Sequence, residues 1–313
     1  MFRAVPYIKQ VRPVFIADLL TKRRRTINTA YRRFERGRQL FLCAGAHTLA
    51  KHEYNRIAYR AIKIGGNIVK VIFSIDMFVR PGRRKTIPEY VAARRETKSV
   101  KAIPRIVWQT NYSNRVTMPV YANFLFNRWL TPEFEYRYHT DEACEAFIEK
   151  HFPGRYSDAF KRLQIGPAKA DFWRILVLLH SGGIYLDIDS NFAARPEDVI
   201  ALDEDAVFIA MDNGEVTNYC LAAKPGHPAL RLMADRISQN IEEGTIVSVY
   251  DMTGPTVVDA VVKELGLPIR NYREICTQGQ FTNKRAQYAD KKDGAWWIAQ
   301  AKSSIVKKQT NSV

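Results

Sequence analysis

The sequence predicts an α/β domain preceded by a basic, mostly helical N-terminal extension. Three observations carry that prediction. Residues 165–191, IGPAKADFWRILVLLHSGGIYLDIDSN, place an apolar helix, a Gly-Gly stop and a short apolar strand in succession. Segments with strand alternation and segments with helical periodicity then follow one another through 103–265. The charge is divided: residues 1–100 hold 23 Lys and Arg against 6 Asp and Glu, a net of +17, whereas 101–313 hold 25 against 26, a net of −1. At 313 residues the chain is long enough to bury a large core and carry an appendage. The expected domains are 1–100, 101–302 and a polar tail at 303–313.

The stretch from Ala168 to His180 has no internal Gly or Pro and reads as a buried helix of about three and a half turns. Gly182 and Gly183 stop it, because glycine takes the left-handed backbone that a helix end often needs. Ile184, Tyr185 and Leu186 form a buried strand that delivers Asp187 and Asp189 at its end. On an extended chain, residues two apart point to the same side. Two converging carboxylates repel unless a positive group lies between them. A hard divalent cation with oxygen ligands, Mg²⁺ or Mn²⁺, suits them and brings phosphate oxygens with it. Asp171 and Arg174 share a helix face, where Asp171 could accept from a base or sugar and Arg174 could pair with a phosphate. Asp-x-Asp alone is weak evidence, since it also occurs at solvated strand ends; the combination is what marks a site.

The remaining elements follow from local pattern. A strand opens at Ile103–Thr110, and Tyr112–Thr117 is a polar loop. Met118–Trp129 is a helix with Pro119 in its first turn. Glu135–Tyr138 alternates as a strand, and Thr140 caps a helix with Asp141 and Glu142 near its positive end. Tyr156–Leu163 is a short amphipathic helix; strands follow at Asp205–Ala210 and Asn218–Ala223, and helices at Ala229–Ile241 and Thr256–Leu265. His139 reads as a loop histidine, Lys169 as solvent-facing, and Glu89–Val100 as a short charged helix. Thr253-Gly254-Pro255 reads as capping chemistry, although the helix start it makes could face an anion or a sugar hydroxyl.

The string KADFWRILVLLHSGGIYLDIDS resembles the sugar-donor-binding region of glycosyltransferase family 32. That family includes yeast-type initiating α-mannosyltransferases, bacterial capsule and lipopolysaccharide transferases, and the catalytic domains of glucosylating toxins. Asp171, Arg174, Gly182, Gly183, Tyr185, Asp187 and Asp189 match its pattern position by position, and the likeness extends over 101 to about 260. The resemblance implies a GT-A-type (Rossmann-like) fold, a UDP- or GDP-sugar donor, Mn²⁺ or Mg²⁺, and transfer with retention to a glycan or lipid-linked glycan. Surface polysaccharide synthesis (capsule or lipopolysaccharide) is the first expectation and protein glycosylation the second.

It further implies that Asp187 and Asp189 hold the metal, Asp189 directly, with Asp187 reaching ribose hydroxyls or a metal-bound water. Asp171, Arg174 and Tyr185 would hold the donor. Trp108 and Gln109 fall where family members border the nucleotide pocket, so Trp108 is a candidate for base stacking and equally a core residue. Asn218, before a Gly-His-Pro turn, is a further contact candidate. A histidine that many relatives carry near the end of the domain is missing here, and Asp290, Lys291 or Lys292 would have to stand in.

The basic third has three readings: a soluble helical extension, attachment to an anionic membrane surface, or nucleic-acid binding, the last disfavoured because no reading motif accompanies the charge. Lys22–Arg25 opens a segment that could be a basic amphipathic helix. Residues 62–79 are apolar but contain Lys63, Lys70 and Asp76, which suits an interfacial or protein-buried element better than a transmembrane one. The first twenty residues show no secretory pattern, and four scattered cysteines form no CxxC pair. A cytoplasmic protein, peripheral on the inner membrane face, is expected. A glycoside hydrolase is disfavoured because its two carboxyls must flank the bond from opposite sides. A non-enzymatic basic binding protein would leave the helix, Gly-Gly and Asp-x-Asp arrangement without a purpose.

Overall fold

In the computed structural model, residues 44–282, 287 and 296–307 are described. The basic segment from Lys22, Cys43, the stand-in candidates Asp290, Lys291 and Lys292, and the tail beyond residue 307 lie outside them. Two compact units divide the chain at 1–54 and 55–313.

The elements in order are α1 Ala44–Val79, β1 Lys85–Thr86, β2 Tyr90–Val91, β3 Ile106–Thr110, β4 Arg115–Val116, α2 Met118–Leu130 and β5 Glu135–His139. Then come α3 Asp141–His151, α4 Arg155–Arg162, α5 Gly166–Ser181, β6 Gly183–Leu186, β7 Ser190–Phe192 and α6 Pro196–Val199. The second half holds β8 Ala206–Ala210, β9 Val216–Ala223, α7 Pro228–Glu243, α8 Val249–Met252 and α9 Pro255–Glu264. β10 Ile269–Asn271, α10 Tyr272–Ile275, β11 Cys276–Gln278 and α11 Trp296–Lys302 complete it.

Seven strands form one mixed sheet in the order β10-β8-β9-β6-β3-β5-β2. β3 runs parallel to both β5 and β6, while β9 is antiparallel to β6 and β8. This is the α/β class expected from the sequence, with the Asp-x-Asp string leaving the sheet directly after β6.

Strand alternation sorts the core into two layers. Trp108, Tyr185 and Leu221 face one side, where they pack with Trp173, Leu176 and Leu230 of the helices. Val107, Ile184, Leu186 and Ala222 face the other, against Phe124 of α2 and Phe192 of β7. With both faces covered, β6 and β9 are buried along their whole length, and β9 carries the buried polar pair Thr217 and Asn218 within its otherwise largely apolar run.

α5 ends where the glycines predict. Gly182 has φ +64 and Gly183 φ +104. A Cβ on Gly183 would lie 2.7 Å from the Ile106 carbonyl oxygen, so the close approach of β6 to β3 itself requires glycine.

Glu89–Val100 is not helical. Its Tyr90–Val91 portion pairs antiparallel with β5 at the sheet edge, and the backbone N–H groups of Arg94 and Arg95 donate to the Pro132 carbonyl. A short isolated helix is marginal because its nucleation is costly, and the open edge of β5 gives the segment tertiary hydrogen bonds instead. Lys169 pairs with Glu145 at 3.8 Å instead of facing free solvent. Cys144, Cys220 and Cys276 are buried free thiols. Among the described residues no helix is long and apolar enough to cross a membrane.

Candidate active site

Arg174 is the hub of the site. Its guanidinium is buried beneath the end of β6 and lies 3.0 Å from the Asp171 carboxylate and 3.2 Å from that of Asp187. Nη1 donates to the Asn218 carbonyl at 2.7 Å and Nε to the Ala170 carbonyl at 3.3 Å. The Tyr185 ring supports the guanidinium plane at 4.5 Å, and the Tyr185 hydroxyl donates to Asp187 Oδ1 at 2.8 Å. These contacts of the guanidinium are all to protein groups. Its work here is to hold Asp171 of α5 and Asp187 after β6 in one place.

Asp171 is buried at 8% exposure. It accepts from Asn218 Nδ2 at 2.9 Å on Oδ1 and from Thr253 Oγ1 at 3.2 Å on Oδ2. A carboxylate has about four acceptor sites, so a sugar hydroxyl can still be received. Thr253 thus joins the site through its side chain, where local pattern points to capping alone; no side-chain cap is made at the start of α9.

The two aspartates after β6 do not lie on an extended chain. The Ser190 N–H donates to the Asp187 carbonyl at 2.9 Å, closing a tight turn through Ile188 and Asp189. They converge nevertheless, because β11 pairs with β7 and sets Gln278 opposite Ser190. Gln278 Nε2 then donates to Asp187 Oδ2 at 3.3 Å and to Asp189 Oδ1 at 3.1 Å. The Gln287 side chain also bonds Asp189. Nothing in the local sequence marks either glutamine; β11 approaches from far along the chain, beyond the region where the family pattern is readable.

Gln109 and Trp108 separate. Gln109 Nε2 donates to the Asp187 carbonyl at 3.3 Å and so borders the site. Trp108, on the opposite face of β3, is 3% exposed, donates from Nε1 to the Gly182 carbonyl at 2.8 Å and packs edge-on against Trp173. It fills the core, and base stacking is not open to it in this arrangement. His139 closes the same aromatic cluster, with its ring 5.1 Å from that of Trp173.

Two carboxylates, Asp171 and Asp187, pair with one guanidinium, and a third, Asp189, stands beside Asp187. Burial raises the proton affinity of all three, and Asp171 and Asp189 are pushed up to about 6, first by burial and then by the Asp187 charge nearby. Arg174 opposes the rise at Asp171 and Asp187. Among the described residues no cluster of three or more His, Cys, Asp or Glu is gathered as a ready-made metal cage. The set that does converge, two carboxylates and an amide that can turn its oxygen inward, is all oxygen and carries surplus negative charge. That fits a hard divalent cation that keeps water and ligand oxygens for its other positions.

Residues 118–206 match the family described as "glycosyltransferase sugar-binding region containing DXD motif". The match takes in Asp171, Arg174, Asp187 and Asp189 and bears out the resemblance read from the α5–β6 string. The mannosyl phosphorylinositol ceramide synthase of Saccharomyces cerevisiae is 25% identical over 164 residues, 52% of this chain and 43% of that protein. The initiation-specific alpha-1,6-mannosyltransferase of Schizosaccharomyces pombe is 27% identical over 199 residues, 52% of this chain and 49% of that protein. Inositol phosphoceramide mannosyltransferase 2 of the same yeast is 28% identical over 131 residues, 40% and 36% of the two chains. The match therefore spans less than half of each relative. Among solved structures, the PaToxG glycosyltransferase aligns at 14% identity with a TM-score of 0.39, covering 68% of this chain and 80% of that one. The UDP-bound glycosyltransferase domain from the YGT toxin aligns at 14% identity and 0.33, covering 47% and 54%. Residues 118–206 are thus similar to a glycosyltransferase sugar-binding region that contains the Asp-x-Asp motif, on the family match alone.

Proposed function

We propose that this protein is a metal-dependent glycosyltransferase that moves a sugar, in the first instance mannose, from a nucleotide-sugar donor to a lipid-carried acceptor with retention of configuration. The observation that carries the reading is the Arg174 clamp: one buried guanidinium fixes Asp171 at 3.0 Å and Asp187 at 3.2 Å, inside the region matched to the sugar-binding family.

Each residue has a task in this reading. Asn218 and Thr253 fix the Asp171 carboxylate so that its remaining acceptor capacity meets a donor-sugar hydroxyl. Arg174 and Tyr185 hold Asp187 in place. Asp189, which accepts side-chain hydrogen bonds from the neutral Gln278 and Gln287 and has no cation paired to it among the described residues, is the direct ligand for Mg²⁺ or Mn²⁺. The bound cation would offset the charge that develops on the departing diphosphate. Retention comes from the family resemblance and needs no protein nucleophile if the acceptor attacks from the leaving-group face.

The names of the yeast relatives favour mannose, and two of the three name an inositol phosphoceramide, a lipid. That weighs the acceptor toward a lipid headgroup and away from the capsule or lipopolysaccharide glycan anticipated above. A hydrolase that uses Asp187 and Asp189 as acid and base is disfavoured by geometry, because both carboxylates meet one Gln278 nitrogen and so face one point.

Calorimetric titration with GDP- and UDP-mannose, with Mn²⁺ and with EDTA, tests the proposal. It expects one donor to bind only in the presence of metal, and Asp189→Asn to lose that metal-supported binding. Binding of neither donor under any condition contradicts it.

A further inference from the structure

The helix α1 carries an apolar stripe that is exposed among the described residues. Ile57, Ile64, Ile68, Val71, Ile75 and Phe78 are each between 57% and 89% exposed. They are spaced three, four or seven apart, so they line one face of the helix. Ile72 and Val79, also exposed, widen the stripe to about 120° of arc, broader than the seam of a two-stranded coiled coil. From Ile57 to Val79 it runs roughly 33 Å at 1.5 Å per residue. An apolar face of this size on a soluble surface marks an interaction site.

On the opposite side, α1 approaches the body next to the candidate site at Gly66. Gly66 is buried there, and a Cβ on it would lie 2.5 Å from the Gln280 carbonyl oxygen. Gln280 stands two residues beyond Gln278, the side chain that joins Asp187 and Asp189. The exposed stripe and the candidate site therefore share one short segment of chain.

Charge selects the occupant. Between Ile57 and Lys85 there are seven basic residues (Arg60, Lys63, Lys70, Arg80, Arg83, Arg84 and Lys85) and one acidic residue, Asp76. Asp76 is itself paired with Arg80 and Arg83. The first 100 residues together carry +17, which opposes the packing of a second copy against the same face. An apolar stripe flanked by cations is what an interfacial helix needs on an anionic bilayer, where each basic residue near the surface contributes about 1 kcal/mol.

We propose that the stripe of α1 lies on an anionic lipid bilayer and so brings the candidate active site to acceptors carried in that bilayer. The second half of this statement rests on the transferase reading; the first half does not. It is tested by co-flotation of the full chain with vesicles of phosphatidylcholine alone and of equal parts phosphatidylcholine and phosphatidylserine. The double variant Ile68→Glu/Ile75→Glu runs beside the wild type, with its thermal midpoint and light scattering recorded. Both residues are exposed and outside the site, so the variant folds and turns over soluble donor as the wild type does.

The expected result is wild-type flotation with the anionic vesicles and a loss of about tenfold or more in partitioning for the variant. Equal partitioning of variant and wild type would show that other basic segments suffice, and overturns the role of the stripe. Absence of wild-type flotation overturns it as well. A wild-type dimer that the variant converts to monomer, without vesicle binding, assigns the stripe to a second copy and overturns it too. Turnover of soluble donor without vesicles is scored separately, so failure of the transferase reading shows there and failure of the membrane proposal shows in flotation.

Discussion

The guanidinium of Arg174 lies 3.2 Å from the Asp187 carboxylate while it also holds Asp171 at 3.0 Å. A helix residue, a residue after a strand and their common cation are thereby locked in one buried unit. Arg174→Lys keeps the charge but loses the fork that reaches several acceptors at once. Loss of a partner from a buried pair costs about 3–5 kcal/mol, and the lysine variant is expected to lose a substantial part of that. Urea unfolding beside donor-binding calorimetry checks this. A variant that is as stable as wild type and binds donor equally well contradicts the hub role.

Gln278 is the neutral bridge between Asp187 and Asp189. Gln278→Leu leaves the two carboxylates facing each other without it. In EDTA this should lower stability by about 0.5–1.5 kcal/mol, the net worth of such exposed hydrogen bonds. Mn²⁺ should recover most of that loss, since a cation between the carboxylates takes over the task of the amide. Thermal unfolding of wild type and variant with and without Mn²⁺ reads this directly, and a loss that Mn²⁺ leaves unchanged counts against a metal at this place.

Gly183 has φ +104 and a Cβ there would meet the Ile106 carbonyl oxygen at 2.7 Å. Gly183→Ala is expected to cost roughly 2–4 kcal/mol from backbone strain and overpacking together. Gly226 also has positive φ, +71, but a Cβ added there would meet nothing within 4 Å. Gly226→Ala should therefore cost only the strain, about 1 kcal/mol. Denaturant midpoints of the two variants separate the contact from the conformation.

His139 is buried against Trp108, Phe147 and Trp173, and burial, then the Arg137 charge, push its pKa down to about 4. The unfolded chain takes up that proton near the ordinary value of 6.5. Acid therefore favours unfolding: the contribution is fully present above pH 6.5 and is lost as pH falls toward 4. Asp171 and Asp189, raised to about 6, act in the opposite direction over part of that range. His139→Phe should accordingly be read as a difference from wild type, with about 2 kcal/mol less loss between neutral pH and pH 4. Equal acid sensitivity of the two proteins contradicts this.

Much of the site was legible because its chemistry sits in one continuous string. α5, the two glycines and β6 are set by local periodicity and backbone preference, and Asp171, Arg174, Tyr185 and Asp187 come together as that string implies. Asn218 was indicated by the family resemblance alone, and it bonds Asp171. What was not legible depends on contacts distant in sequence. Gln278 reaches the aspartates only through the pairing of β11 with β7, and Thr253 reaches Asp171 only because α8 packs beside α5. The face that Trp108 occupies depends on strand register, which pattern alone left open between core and pocket. Tyr90–Val91 became a strand because β5 offered an edge, a tertiary gain that outweighed local preference.

The central claim is that Asp189 serves metal-dependent transfer from a nucleotide sugar. The most direct measurement is release of nucleotide diphosphate from GDP- and UDP-mannose by the purified full chain, in Mn²⁺ and in EDTA, with Asp189→Asn beside the wild type. The account predicts turnover of one donor that stops in EDTA and falls by at least about a hundredfold in the variant, the scale of losing one electrostatic stabiliser of the leaving group. Turnover that survives both EDTA and the substitution would contradict it.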